Sequence, residues 1–308
     1  MGQAVEPDAA LQSALHALLT GLAPRAGSLA VTIFGDSIAP QGHSVWLGGL
    51  VTVMQQFGLN ARQTRTAIFR LGREGWLTPS LSGRRSYYCF TPSGERQYAR
   101  AAQRIYAPAA AAWDGHWTLV TGVGLEGALR DELRRRLGWL GFGSLGAGLL
   151  AHPQMPPATV QDVVRELGCA GQVVVWRATT ALDAPLVELV RASWRLDELA
   201  GRFEQFITRF ALFDALLAGV RVLEPRDAFL LRTLLIHEYR RVLLKSTELP
   251  PALLPARWPG HAAHDLTASL YRRLHAPASA YCQRALENAA GPLPPPSSAF
   301  FARFGGLA

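Results

Sequence analysis

Eight side chains between residues 62 and 85 carry the chemistry most readily read from this sequence. Arg62, Gln63, Arg65 and Thr66 crowd one short stretch, Arg70 and Arg73 follow, and Arg84 and Arg85 come after a gap. No nucleophile, base and orienting partner accompany them, so the chemistry is recognition and not bond breaking. Arginine grips guanine O6 and N7 with two parallel N–H donors, and glutamine can match adenine in the same way. Each such pair is worth roughly 1–3 kcal/mol of discrimination. Phosphate oxygens accept from the same side chains without regard to sequence.

Helical spacing sorts these residues. Between Leu59 and Leu71, the small or apolar residues Thr64, Ala67, Ile68 and Leu71 fall on one face, and Ala67 leaves room for a second helix. Arg62, Gln63, Arg65, Thr66 and Phe69 fall on the other. A helix of this kind, locked by a partner helix, places its N-terminal residues against base edges in the major groove. Arg62, Gln63, Arg65 and Thr66 are therefore assigned to bases, and Arg70 and Arg73 to phosphates. The Gly83-Arg84-Arg85 tip is assigned to the backbone or the adjacent minor groove.

Other constellations are weaker. Gly122, Gly124 and Gly127 have the spacing of a dinucleotide fingerprint, but no acid follows at about 20 residues, because 137–161 carries no charge. Structural turns are the better reading. His237-Glu238 begins like a zinc-protease helix, yet position 241 is Arg, and His261 and His264 have no third ligand near in sequence. His237, Arg240 and Arg241 read as buried hydrogen-bonding partners or as cationic contacts for a phosphorylated ligand. Asp114 has no second acid beside it, which favours a turn role over a nuclease one. Arg134, Arg135 and Arg136 suit a helix C-terminus. Cys89, Cys169 and Cys282 share no metal-ligand spacing, so reduced thiols are expected. No metal and no cofactor are expected.

The elements that must position these residues follow from periodicity. Leu11, Leu15, Leu18, Leu19 and Leu22 mark a first helix over 8–22. Residues 28–39 and 45–57 read as short helices separated by a turn over 40–44. Asn60 caps a third helix running to about Arg73, and Gly75 stops it. Two strands, 76–81 and 86–90, flank the basic tip, and Thr91-Pro92 starts a helix reaching Ala107. Beyond a linker at 108–112 the order becomes strand 116–121, helix 126–137, strands 139–143 and 146–152, helix 160–167 and strand 172–179. That order is the ferredoxin-like split βαβ. Helical patterns then cover 186–217, 226–244, 262–275 and 277–289. The tail from Pro292 is Pro-rich and ends with Phe300, Phe301 and Phe304, either loose or docked by its aromatics.

The expected fold is thus α+β. It comprises an N-terminal helical extension (1–27), a winged helix-turn-helix domain (28–112), a ferredoxin-like domain (113–181), an all-helical C-terminal domain (182–290) and a tail (291–308). Of 308 residues, 49 % are hydrophobic and 18 % charged, a globular composition. The net charge is +8, and residues 28–112, with nine basic against three acidic side chains, carry +6 of it. Such a patch attracts polyanions, either nucleic acid or membrane phosphates. No secretory signal and no apolar run of spanning length is evident, so a soluble cytoplasmic protein without membrane partners is expected.

Several stretches together resemble the PaaX family of phenylacetate-catabolism repressors. They include Ser28 to Gly35 (SLAVTIFG), Val45-Trp46-Leu47-Gly48, Ile68-Phe69-Arg70-Leu71, Glu74-Gly75-Trp76-Leu77 and Gly83-Arg84-Arg85-Ser86-Tyr87-Tyr88. Trp113-Asp114-Gly115-His116-Trp117, Leu235 to Arg241 (LIHEYRR) and Trp258-Pro259-Gly260 continue it, over about residues 28–286. Two departures stand out: Lys245-Ser246-Thr247 replaces a common acidic-proline pair, and Cys89 replaces a common basic residue. The resemblance implies a dimeric repressor, not an enzyme, that binds double-stranded operator DNA and is released by phenylacetyl-coenzyme A or a related acyl-coenzyme A. His237, Arg240 and Arg241 are its candidate effector contacts. The competing readings are a thioester- or nucleic-acid-processing enzyme on the later domains, and a winged-helix interaction scaffold without DNA affinity.

Overall fold

The computed structural model describes residues 7–108, 113–220, 222–244 and 249–307. Most of the expected linker (109–112), Lys245-Ser246-Thr247 and Ala308 lie outside them. The fold mixes helices with small sheets, and the chain divides into two compact units. One comprises residues 1–108, 205–243 and 261–308, and the other 109–204 and 244–260.

The first unit begins with α1 (Pro7–Leu22) and α2 (Ala26–Ile33), whose axis continues through a π-turn at Phe34–Ile38. Gly35 is needed in that turn, because a Cβ there would fall inside the Tyr98 ring. A three-residue strand, β1 (Ser44–Trp46), precedes α3 (Leu47–Gln55). The expected helix over 45–57 is therefore corrected at its start. Val45 is fully buried, and β1 pairs antiparallel with a strand 40 residues on, a preference that local periodicity does not carry.

Next come α4 (Ala61–Arg73), β2 (Leu77–Ser82), β3 (Arg85–Phe90) and α5 (Pro92–Ile105). The sheet order is β1-β3-β2, all antiparallel. Thr91 caps α5 by accepting from Gly94 N at 2.9 Å while donating to Gly75 O, which ties the helix start to the end of α4.

The second unit has β4 (His116–Gly122), α6 (Gly127–Trp139), β5 (Gly143–Gly146), β6 (Leu149–His152), α7 (Pro157–Glu166) and β7 (Val173–Thr179). The expected β-α-β-β-α-β order is observed, with strands arranged β5-β6-β4-β7 and every neighbouring pair antiparallel. Val120, Leu133, Leu137, Leu150, Val160 and Val164 form its core. One boundary is corrected: Trp139 ends a helix, and the strand expected at 139–143 starts only at Gly143. Asp114 accepts from His116 N at 3.0 Å, a turn role. Gly124 and Gly127 both have positive φ at the turn into α6.

The remaining helices are α8 (Ala184–Ser193), α9 (Leu196–Gly219), α10 (Pro225–Leu243) and α11 (Pro259–Ala285). The helix expected over 186–217 breaks at Arg195, whose φ is +51°. Conversely, α11 runs straight through Pro277, where a break was expected. Leu270, Tyr271 and Leu274 before it and Ala278, Ser279 and Cys282 after it are all buried, so packing outweighs the lost hydrogen bond. A two-stranded ribbon, β8 (Glu287–Asn288) and β9 (Gly291–Pro292), leads to α12 (Ser298–Phe301). The tail is docked: Phe300, Phe304 and Leu307 are buried within the first unit. Among the described residues no helix is long and apolar enough to cross a membrane.

Candidate nucleic-acid interface

The geometry of α4 is set at its first residue. Asn60 Oδ1 accepts from Gln63 N and Gln63 Oε1 accepts from Asn60 N, both at 2.8 Å, a reciprocal capping box. The inward face is Thr64, Ala67, Ile68 and Leu71, all buried, and α4 packs on α2 and α3. Thr64 satisfies its hydroxyl by donating to Asn60 O at 3.1 Å.

That packing turns the rest of the helix outward. Arg62, Gln63, Arg65, Thr66, Arg70 and Arg73 are all exposed, as the helical spacing requires. They are not equivalent. One lone pair of Gln63 Oε1 is taken by the cap, so its amide N–H groups are the freer half for a ligand. Arg70 is held by Glu74 at 3.4 Å, an exposed pair of small strength.

The β2–β3 hairpin closes through Gly83 and Arg84, since Ser82 pairs with Arg85. Gly83 has φ +60° at the first loop position, the pattern of a II′ turn and one that favours glycine. Arg84 and Arg85 thereby part company. Arg84 sits exposed at the tip. Arg85 is the first strand residue, its guanidinium 4.6 Å from the Trp46 ring centroid and 2.5 Å from Glu287 Oε1.

The acidic side chains of this segment do not cancel its charge. Of its three, Asp36 is buried against Arg232, Glu74 is paired with Arg70, and Glu95 lies in the first turn of α5. Among the described residues Arg62, Arg65, Arg73 and Arg84 have no carboxylate partner and present positive charge outward, in an arrangement suited to a polyanion. A concave surface of about 520 Å³, lined in part by His16, Gln55 and Gln63, borders the start of α4.

His237, Arg240 and Arg241 lie at the C-terminal end of α10 and make three different sets of contacts. His237 is 1 % exposed and its Nδ1 lies 2.9 Å from Thr32 Oγ1. Burial, reinforced by Arg240 and Arg241, pushes its pKa down to about 3, so the ring is neutral. Arg240 donates to Ser28 O at 2.9 Å and Ser28 Oγ at 2.8 Å. Arg241 is half-exposed and bonds Glu238 at 2.7 Å.

Sequence reasoning missed a buried polar cluster in the same unit. Asp36 Oδ1 accepts from Tyr106 at 2.7 Å, Tyr271 at 2.8 Å and Arg303 at 3.0 Å. Arg232 completes the cluster, donating to Ser37 Oγ at 2.7 Å. Its members come from five distant segments, and no local spacing signals them.

A capped helix with a cationic outer face, beside a basic hairpin tip on a mixed helix-and-sheet chain, is an arrangement suited to binding a polyanion. The chain belongs to the PaaX-like family. The PaaX-like protein model matches residues 25–94, the PaaX central Cas2-like domain model 110–190, and the PaaX-like C-terminal domain model 194–284. The chain is 40 % identical over 284 residues to the transcriptional repressor PaaX of Escherichia coli strain K12, spanning 91 % of this chain and 90 % of that one. It is also similar in fold to an uncharacterized protein from Mycobacterium tuberculosis of known structure. That similarity has a TM-score of 0.51 and 20 % identity, and covers 80 % of this chain and 96 % of that chain.

Proposed function

We propose that α2, α3 and α4 with the β1-β3-β2 sheet form a winged helix-turn-helix that reads duplex DNA, with α4 as recognition helix and β2–β3 as wing. The observation that carries this is the division of α4 into a buried face at Thr64, Ala67, Ile68 and Leu71 and an exposed cationic one. The chain is a transcriptional repressor of the PaaX family, a regulator and not an enzyme. In this reading Arg62, Gln63, Arg65 and Thr66 meet bases, and Arg70, Arg73, Arg84 and Arg85 hold the backbone.

The same reading takes 1–27 as a helical extension, 28–112 as the DNA-binding domain and 113–181 as a ferredoxin-like domain. The antiparallel order β5-β6-β4-β7 supports the last of these. Residues 182–290 are the helical C-terminal domain, and 291–308 its tail. A cytoplasmic homodimer would present two α4 helices to a pseudo-palindromic operator in phenylacetate-catabolism promoters.

Release requires a ligand that binds the DNA-incompetent state more tightly. We assign that role to phenylacetyl-coenzyme A or a related thioester, with His237, Arg240 and Arg241 as candidate contacts. Arg241, half-exposed, is the most accessible of the three. The experiment is a titration of the protein on labelled duplex from its own promoter region, followed by addition of acyl-coenzyme A thioesters. Dissociation by phenylacetyl-coenzyme A supports the effector assignment. An intact complex that a different thioester dissolves overturns it.

A further inference from the structure

Phe69 stands on the outer face of α4 with 67 % of its surface exposed. The inner face is complete without it, since Thr64, Ala67, Ile68 and Leu71 already fill the contact with α2 and α3. A phenyl ring left in water adds nothing to the stability of the fold, and this one sits among the exposed residues assigned to DNA. Arg65 and Thr66 lie one turn before it and Arg73 one turn after, so all four share a stripe of the helix.

The surroundings of the ring limit what can cover it. Arg62, Arg65, Arg70 and Arg73 flank it, and α4 itself contains no acidic residue. Packing the same face of a second copy against it would bring like charges together. A polyanion that also projects an apolar group fits both features. In duplex DNA that group is the 5-methyl of thymine, which stands in the major groove where arginine meets guanine.

We propose that Phe69 packs on a thymine methyl of the operator, making it a further specificity-determining residue beside the polar ones. This rests on α4 being the recognition helix. A spacing of one helical turn places Phe69 deeper along the site than Arg65 and Thr66, so its thymine lies beside the base pairs those residues contact.

The test starts from a duplex selected by the full-length protein from a random pool. A pool that yields no preferred sequence removes the recognition-helix reading itself, whatever Phe69 does. With a consensus in hand, each thymine is replaced singly by deoxyuridine, which deletes only the methyl. Wild type is expected to lose roughly fourfold in affinity at one position per half-site, the loss of one apolar carbon contact. Phe69→Ala is expected to bind the thymine duplex more weakly and to ignore that replacement, while Phe69→Leu recovers part of the discrimination. Thermal melting, unchanged by truncation of so exposed a ring, separates lost contact from lost fold. The proposal is overturned if wild type is indifferent to deoxyuridine at every position, or if Phe69→Ala keeps the same deoxyuridine penalty. It is equally overturned if the substitution shifts the oligomeric state instead, because the ring then serves a subunit contact.

Discussion

Arg232 Nε lies 3.0 Å from Asp36 Oδ2, with the two side chains 0 % and 1 % exposed. The pair joins the π-turn after α2 to the middle of α10, and Arg303 adds the C-terminal tail to the same carboxylate at 3.0 Å. Burial raises the pKa of the Tyr106 and Tyr271 hydroxyls, which keeps both as donors to Asp36. One carboxylate thus ion-pairs with two guanidiniums and accepts from two phenols.

Removing that carboxylate leaves two cations facing each other in the core. Asp36→Asn is expected to lose about 3–5 kcal/mol of unfolding free energy, the range for stranding a buried charge. Arg232→Met is expected to lose less, because Arg303 still pairs with Asp36. Urea midpoints at constant m-value measure both. A loss below about 1 kcal/mol for Asp36→Asn contradicts a structural role for the cluster.

His237 gives the first unit an acid-sensitive element. Its folded pKa of about 3 lies below the ordinary 6.5, so above pH 6.5 it is neutral in both states and contributes no pH dependence. Between pH 6.5 and 3 the unfolded chain takes up a proton that the folded chain refuses. Stability therefore falls with falling pH, by about 1.4 kcal/mol per unit from this group. His237→Gln cannot take that proton. Its unfolding free energy is expected to depend on pH by about one proton less than wild type between pH 4 and 6. Parallel pH profiles would show that His237 titrates normally in the fold.

The two wing arginines are expected to behave differently on DNA. Arg84 is at the tip, whereas Arg85 is engaged by Trp46 and Glu287. Arg84→Ala is expected to reduce the slope of log affinity against log salt by about one, and Arg85→Ala by clearly less. Equal slopes for the two variants contradict the separation seen at the hairpin tip.

The two faces of α4 were legible from residue order alone, because a 13-residue amphipathic helix with Asn60 and Gln63 at its start is a local signal. The hairpin was legible from its Gly-Arg-Arg turn between two strand-like runs, but Arg85, expected at the tip, is a strand residue held by Trp46 and Glu287. Strand β1 was not: three residues beside a helical run become a strand only by pairing with β3. Pro277 suggested a break that packing on both sides of it overrules. The partners of Arg85 and Asp36 lie 202 and 267 residues away in Glu287 and Arg303, beyond the reach of any periodicity. Recognition residues on one helix can be read from sequence, whereas a buried charge cluster assembled from distant segments cannot.

Whether α4 reads sequence is decided by comparing specific with non-specific duplex. Binding of wild type and of Arg62→Ala/Arg65→Ala to promoter duplex and to scrambled duplex is compared across a salt series. Wild type is expected to bind promoter duplex more tightly and to lose affinity steeply with salt, and its preference for promoter is expected to collapse in the double variant while weak non-specific binding remains. Equal affinity of wild type for both duplexes, unchanged by the double substitution, would contradict sequence reading by α4.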